Sequence, residues 1–119
     1  MKFVNHIPIY IQIINQLKRE IVLGHIMPGD KLESVREYAI EMKVNPNTVQ
    51  KAYQEMERDG LAFSKRGIGR FIIDEEGLVA RLMHEMSTEI VGAYILKMQE
   101  IGYGHKEIRE RLEQTLNGG

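Results

Sequence analysis

The chain has no cysteine and no apolar run long enough to cross a membrane. The missing thiols exclude disulfides, thiolate zinc sites, iron–sulfur clusters and thiol nucleophiles. The most apolar stretch, residues 7–14, is far shorter than the roughly 20 residues that a membrane-spanning helix needs. The first residues also lack the apolar core and the cleavage site of a signal peptide. We therefore expect a cytoplasmic protein without a membrane partner.

A net charge of either sign is also nearly absent, since 16 Lys and Arg stand against 17 Asp and Glu among 119 residues. Residues 1–73, however, contain 11 basic and 8 acidic side chains, a balance of +3, whereas residues 74–119 contain 5 and 9, a balance of −4. Whole-chain neutrality therefore conceals a basic half and an acidic half, which indicates two different roles.

Three short helices are predicted in the first half. Apolar residues at four-residue spacing in residues 9–21 indicate an amphipathic helix that ends at Gly24. Ser34 and Glu37 have the spacing of a capping box, in which Ser34 accepts the backbone N–H of residue 37 and Glu37 reaches back to the cap. The Asn-Pro pair at residues 45–46 is a start signal for the third helix.

A β-hairpin is predicted after the third helix. Residues 61–63 and 70–73 are typical of short strands, and they bracket a basic loop with two glycines, residues 64–69. Three short helices followed by a hairpin is the order of a winged helix-turn-helix. The predicted fold is thus mainly α with a small β-hairpin, and residues 1–73 are assigned to a DNA-binding domain.

Polar residues at the start of the third helix are candidates for contacting DNA. In a helix-turn-helix, the recognition helix enters a major groove about 12 Å wide and its first residues reach the base edges. The hairpin tip, or wing, carries cations beside a glycine, which suits the phosphate backbone or the minor groove. The candidates are Asn45, Asn47, Thr48 and Lys51 with Gln50 beside them on the helix, and Lys65, Arg66 and Gly67 on the wing.

The last 46 residues predict a two-helix tail that dimerises. Apolar residues recur at four-residue spacing within residues 75–101, with a second stripe beside them, in a helix roughly 40 Å long. Two stripes present more apolar surface than one small neighbour is expected to cover, so a second copy of the chain is the expected partner. The predicted dimer interface in residues 74–119 comprises Leu82, Met86, Ile90, Tyr94, Met98 and Leu112.

Short motifs form a dense, ordered set over residues 7–73. They are Pro8-Ile9-Tyr10, Pro28-Gly29-Asp30-Lys31-Leu32, Ser34-Val35-Arg36-Glu37, Asn47-Thr48-Val49, Ala52-Tyr53, Glu57-Arg58-Asp59-Gly60-Leu61 and Arg66-Gly67-Ile68-Gly69. This set resembles the GntR family of bacterial transcriptional regulators. The resemblance implies a homodimeric regulator, here expected to be a repressor, on a pseudo-palindromic operator in double-stranded DNA. It also implies a DNA contact by Arg36, and Ser34 completes the predicted contact set. The short tail resembles the YtrA subfamily, in which the tail dimerises.

Three positions depart from the family pattern, since many members carry proline at the position of Glu33 and arginine at the positions of Pro46 and Gln50. The two missing arginines keep a second function open. The alternative is a protein-interaction module, built on a winged helix that has lost its DNA affinity.

The site candidates also have purely structural interpretations. Arg36 could pair with a carboxylate on its own helix, and Lys65 and Arg66 could form a solvated hairpin tip. Asn47 and Thr48 could act only as capping groups in the first turn of the third helix.

No catalytic, metal-binding or cofactor-binding motif is visible. The four histidines are scattered without ligand spacing, and the three serines have no base and orienting group that would make one of them a nucleophile. We therefore expect neither an enzyme nor a cofactor. A small-molecule effector is conceivable, but no residue pattern supports one.

Overall fold

The computed structural model describes residues 2–118, and in this range it has five helices and one antiparallel hairpin. The elements in chain order are α1 (Ile9–Val22), α2 (Val35–Met42), α3 (Pro46–Arg58), β1 (Ala62–Lys65), β2 (Gly69–Ile72), α4 (Leu78–Glu100) and α5 (His105–Leu116). The mainly helical fold with a winged helix-turn-helix order is confirmed. Contacts among the described residues form two compact units, one ending at Leu82 and the other beginning at Met83.

The hydrophobic core of the first unit draws on all of its helices and on both strands. The predicted stripe of α1 is buried, and it packs in one cluster with the inner face of α3 and with Ile72 of β2. Leu78 and Leu82, in the first turns of α4, belong to the same cluster. Burying a leucine side chain contributes about 1.5–3 kcal/mol, so the first turns of α4 add to the stability of this unit.

Side-chain caps start α2 and α3 as the sequence predicts. The Ser34 hydroxyl oxygen accepts the backbone N–H of Glu37 at 3.1 Å, and the Asn45 side-chain oxygen accepts the backbone N–H of Asn47 at 2.8 Å. One detail differs from the capping-box prediction. The Glu37 carboxylate accepts a hydrogen bond from the Ser34 hydroxyl, at 3.1 Å, instead of one from the backbone N–H of Ser34.

The wing has a tighter turn than the sequence suggested. Its strands pair from Ala62 opposite Ile72 to Lys65 opposite Gly69, so only residues 66–68 form the turn. Gly67 adopts a φ of 78°, a conformation that glycine reaches without steric cost, and this permits the short connection. Residues 30–32 extend the pairing on the other side of β2, with hydrogen bonds such as Leu32 N–H to Arg70 O at 2.8 Å.

The second unit, from Met83 onwards, buries few apolar side chains. Ile108 of α5 is its buried hydrophobic residue within the described range, while Ile90 is 67% exposed and Leu116 is 75% exposed. The backbone N–H of Gly104 donates to the Glu107 carboxylate at 3.0 Å, which caps the start of α5. Among residues 2–118, no helix is both long and apolar enough to cross a bilayer.

Candidate nucleic-acid interface

The first residues of α3 are exposed and locally ordered. Asn45, the cap residue before α3, and Asn47 are exposed, and Thr48 is half-buried. The Asn45 side-chain oxygen is used by the cap, so its amide group can still donate hydrogen bonds outward. Capping and DNA contact are therefore compatible roles for Asn45.

Arg36 lies in the first turn of α2, next to the cap residue Ser34. Its side chain is exposed and makes no hydrogen bond or ion pair with any residue between 2 and 118. The structural interpretation, in which Arg36 pairs with a carboxylate on its own helix, is not observed. Its guanidinium group is available for an external anion.

Lys51 contacts α1 through a cation–π interaction. Its Nζ atom lies 4.3 Å from the centre of the Tyr10 ring, at the start of α1. Such a contact contributes about 0.5–1 kcal/mol at an exposed site and restricts where the ammonium group can lie. Sequence reasoning named Lys51 but missed Tyr10, although Tyr10 stands in one of the family motifs.

Two aromatic rings stiffen the wing beneath its cations. Phe63 and Phe71 face each other across the strands with ring centres 5.8 Å apart, and Lys65 Nζ lies 4.9 Å from the Phe71 ring. Arg66 and Gly67, at the tip, are exposed, and Arg66 has no polar partner among the described residues. The tip therefore presents a free guanidinium group on a rigid stem.

A polar cluster that the sequence did not predict joins α3 to the wing. The Glu57 carboxylate accepts a hydrogen bond from Arg70 Nε at 2.8 Å and another from the Ser64 hydroxyl. Arg70 also donates to the Gln50 side-chain oxygen at 3.2 Å, and its guanidinium lies 5.5 Å from the Tyr53 ring centre. The Ser64 hydrogen bond, together with Arg70, lowers the pKa of Glu57. The cluster fixes the position of the wing against the recognition helix.

Signals for this cluster exist in the sequence, but only once the hairpin register is known. Gln50 and Glu57 are seven residues apart, which places them two turns apart on one side of α3. Ser64 and Arg70 are directly opposite each other in the hairpin. The two elements bring the four side chains together.

Two buried tyrosines connect α2, α3 and the segment before α2. The ring centres of Tyr38 and Tyr53 are 6.1 Å apart, and the Tyr53 hydroxyl donates to the Glu33 carbonyl oxygen at 2.9 Å. Burial raises the pKa of Tyr38 to about 12. Burial, followed by the nearby Glu41 carboxylate, raises the pKa of Glu33. This packing holds the start of α2 beside the wing, and the two border an open cleft of about 480 Å³.

The predicted dimer residues fall into two groups, and one of them needs correction. Leu82 is only 2% exposed and lies in the core of the first unit, so it has no surface left for a partner. The other five lie in the second unit, with Ile90 and Leu112 exposed and Met86, Tyr94 and Met98 half-buried. Exposed apolar residues that the interface prediction omitted include Leu96, Ile101 and Leu116.

Within the described part of the chain, no group of three or more His, Cys, Asp or Glu side chains could hold a metal ion.

Comparison with known proteins identifies the family. The family described as "Bacterial regulatory proteins, gntR family" matches residues 9–72. The chain is 41% identical over 112 residues to the uncharacterized HTH-type transcriptional regulator YhcF of Bacillus subtilis (strain 168), covering 94% of this chain and 93% of that protein. It is 38% identical over 118 residues to the HTH-type transcriptional repressor YtrA of the same organism, covering 94% and 89%.

A solved structure agrees with this assignment along nearly the whole chain. The structure of a GntR family transcriptional regulator from Listeria monocytogenes superposes with a TM-score of 0.84 at 32% identity, covering 94% of this chain and 98% of that one. The similarity therefore includes the helical tail as well as the winged helix. The chain belongs to the GntR family of bacterial transcriptional regulators, in its YtrA-like subfamily.

Proposed function

We propose that the chain represses transcription as a homodimer that binds a pseudo-palindromic operator in double-stranded DNA. The observation that carries this proposal is a capped and exposed α3 start together with two free guanidinium groups, Arg36 in the first turn of α2 and Arg66 at the wing tip. Phosphates and guanine edges are the partners for which guanidinium groups are suited.

Each element of the first unit has a role in the proposed complex. The first turn of α3, with Asn45, Asn47 and Thr48, enters the major groove, and Lys51 contacts a phosphate beside it. Ser34 and Arg36 approach the backbone or a base from the start of α2. Lys65, Arg66 and Gly67 place the wing on the backbone or in the minor groove. The hydrogen bonds from Arg70 and Tyr53 support this arrangement, because they hold the wing and the start of α2 against α3.

The second unit supplies the proposed dimer contact. Ile90, Ile101 and Leu116 are each more than half exposed, and exposed apolar area costs about 25 cal/mol per Å² until it is covered. Met86, Tyr94, Met98 and Leu112 complete the proposed surface. A second copy of the chain is the occupant that a two-fold operator requires, because half-sites lie one helical turn of DNA or a multiple apart. We accordingly assign residues 1–73 to DNA binding and residues 74–119 to dimerisation.

The proposed function needs no catalytic group and no cofactor, and it locates the protein in the cytoplasm with the DNA. Nothing in the described residues favours a particular small-molecule effector.

The test is selection of bound sequences from a random DNA pool, followed by affinity measurements on the selected site. Arg36→Ala and Arg66→Ala should each lower affinity by about 1–3 kcal/mol, because each removes a direct contact. Lys106→Ala, which removes one exposed positive charge from α5, is the matched control and should bind as the parent does. Sedimentation should show the same dimer for all four proteins.

Two results would contradict the proposal. If both arginine variants bind as the parent does, the assigned interface is wrong. If the parent selects no sequence up to micromolar protein, the interaction-module function, which the loss of arginine at Pro46 and Gln50 favours, replaces it.

A further inference from the structure

Gln50 is held by a residue from outside the recognition helix. Its side-chain oxygen accepts a hydrogen bond from Arg70 of β2 at 3.2 Å, and the rest of the Gln50 side chain is half-buried at the edge of α3. Arg70 is itself fixed by Glu57 Oε1 at 2.8 Å and by the Tyr53 ring, 5.5 Å from its guanidinium carbon. Arg70 and Glu57 are each less than one-third exposed, so solvent competes little with this contact.

The chemistry of the two groups determines which end of the amide faces Arg70. A guanidinium group only donates hydrogen bonds, whereas a glutamine amide has an accepting oxygen and a donating NH2 group. Arg70 can therefore bind only the oxygen of Gln50. The NH2 group is left as the free end of the side chain, and Gln50 becomes a hydrogen-bond donor towards its surroundings.

This orientation has a consequence for base recognition. An unrestrained glutamine pairs with adenine through both ends, accepting from N6 and donating to N7. A glutamine whose oxygen is turned towards Arg70 leads with its NH2 group, and this group matches the acceptors of guanine (N7 and O6), thymine (O4) and adenine (N7). Cytosine, which presents a donor in the major groove, is a mismatch.

We propose that Arg70 is a positioning residue for sequence recognition, holding Gln50 as a donor so that the operator base facing Gln50 is one with a major-groove acceptor and not cytosine. This inference rests on the proposed function. It makes Arg70 a determinant of specificity, and it gives Gln50 a defined role where the family commonly has arginine.

The experiment compares the sequences that full-length variants select from a random DNA pool. The Gln50→Ala variant locates the operator position that faces residue 50, because base preference should disappear at that position and remain at the others. At that position the parent should select cytosine about fivefold less often than the other three bases, the low end for one base contact. Arg70→Met should remove this discrimination, to within about twofold, because the released amide oxygen can then accept from cytosine N4.

Further variants separate orientation from other effects. Gln50→Glu keeps the contact with Arg70 but has no donor, so it should also lose the discrimination against cytosine, independently of how well Arg70→Met folds. Arg58→Met is the matched control, because Arg58 lies on α3 and pairs with Glu55 rather than with Gln50. It should keep the base preference of the parent whatever its affinity.

The outcomes distinguish this inference from the function on which it rests. If the parent selects no sequence at all, both fall. If the parent selects a motif but Arg70→Met keeps the same base preference and only binds more weakly, Arg70 contacts DNA itself and the orientation role is refuted. Selection of cytosine by the parent at the Gln50 position would also refute it.

Discussion

Tyr38 and Tyr53 offer a test of the packing, because only one of the two buried hydroxyls has a hydrogen-bond partner among residues 2–118. Tyr38 is 4% exposed and Tyr53 is 1% exposed, and their rings lie 6.1 Å apart. The Tyr53 hydroxyl donates to the Glu33 carbonyl oxygen at 2.9 Å, whereas the Tyr38 hydroxyl has no hydrogen-bond partner among residues 2–118. Replacing each tyrosine by phenylalanine removes only the hydroxyl.

The two substitutions should change the free energy of unfolding in opposite directions. Tyr53→Phe loses a hydrogen bond worth about 1 kcal/mol net. Tyr38→Phe removes a buried hydroxyl whose burial without a partner costs about 1–3 kcal/mol. We therefore expect Tyr53→Phe to be about 1 kcal/mol less stable than the parent, and Tyr38→Phe to be equally stable or more stable.

Urea unfolding followed by circular dichroism measures both changes. All proteins should be compared at one concentration, because the apparent stability of the proposed dimer would depend on it. The slope of unfolding free energy against urea concentration should be the same for each protein. The reasoning is refuted if Tyr38→Phe is destabilised by 1 kcal/mol or more, since its hydroxyl would then contribute a favourable interaction. It is also refuted if the two variants have the same stability.

Two further predictions concern the tail and the polar cluster. Leu82→Ala should destabilise the first unit by about 2–5 kcal/mol, because it leaves a cavity in the core. Ile90→Asp should instead weaken the proposed dimer in sedimentation and leave the secondary structure intact. The reverse pattern would return Leu82 to the interface. The lowered pKa of Glu57 means that its ionised form stabilises the fold above pH 4.5, its ordinary value, and that this stability is lost as the pH falls through the folded-state value. When the free energy of unfolding is measured as the pH is lowered, Glu57→Gln should therefore lose less stability than the parent. Parallel plots of unfolding free energy against pH for the two proteins would argue against the cluster.

Local sequence signals predicted the helix starts, whereas the wing needed tertiary information. The Ser34 and Asn45 side chains cap α2 and α3 by accepting backbone N–H groups three and two residues further along the chain. Contacts this local can be predicted from the sequence. The predicted turn, residues 64–69, was too wide, because the sequence shows that Gly67 can turn but not that Lys65 pairs with Gly69 across it.

The partner of an apolar residue could not be predicted from its spacing. Leu82 and Ile90 lie on one stripe of α4, and the periodicity assigned both to the dimer. The structure buries Leu82 in the core of the first unit and leaves Ile90 exposed. Periodicity identifies a face of a helix, but what covers each turn of that face depends on residues distant in the sequence. The contacts of Arg70 with Gln50 and Glu57 were missed for the same reason.

The hydrogen bond between Gln50 and Arg70 couples positions 20 residues apart in the chain. A mutation at one of them removes the hydrogen-bond partner of the other. A lineage that adapts to a new operator must therefore alter both, or pass through an intermediate that discriminates poorly between operator bases. Across related sequences the two positions should therefore vary together, with glutamine at 50 accompanied by arginine at 70. The evolution of operator preference in this branch of the family is then constrained by the wing as much as by the helix that enters the groove.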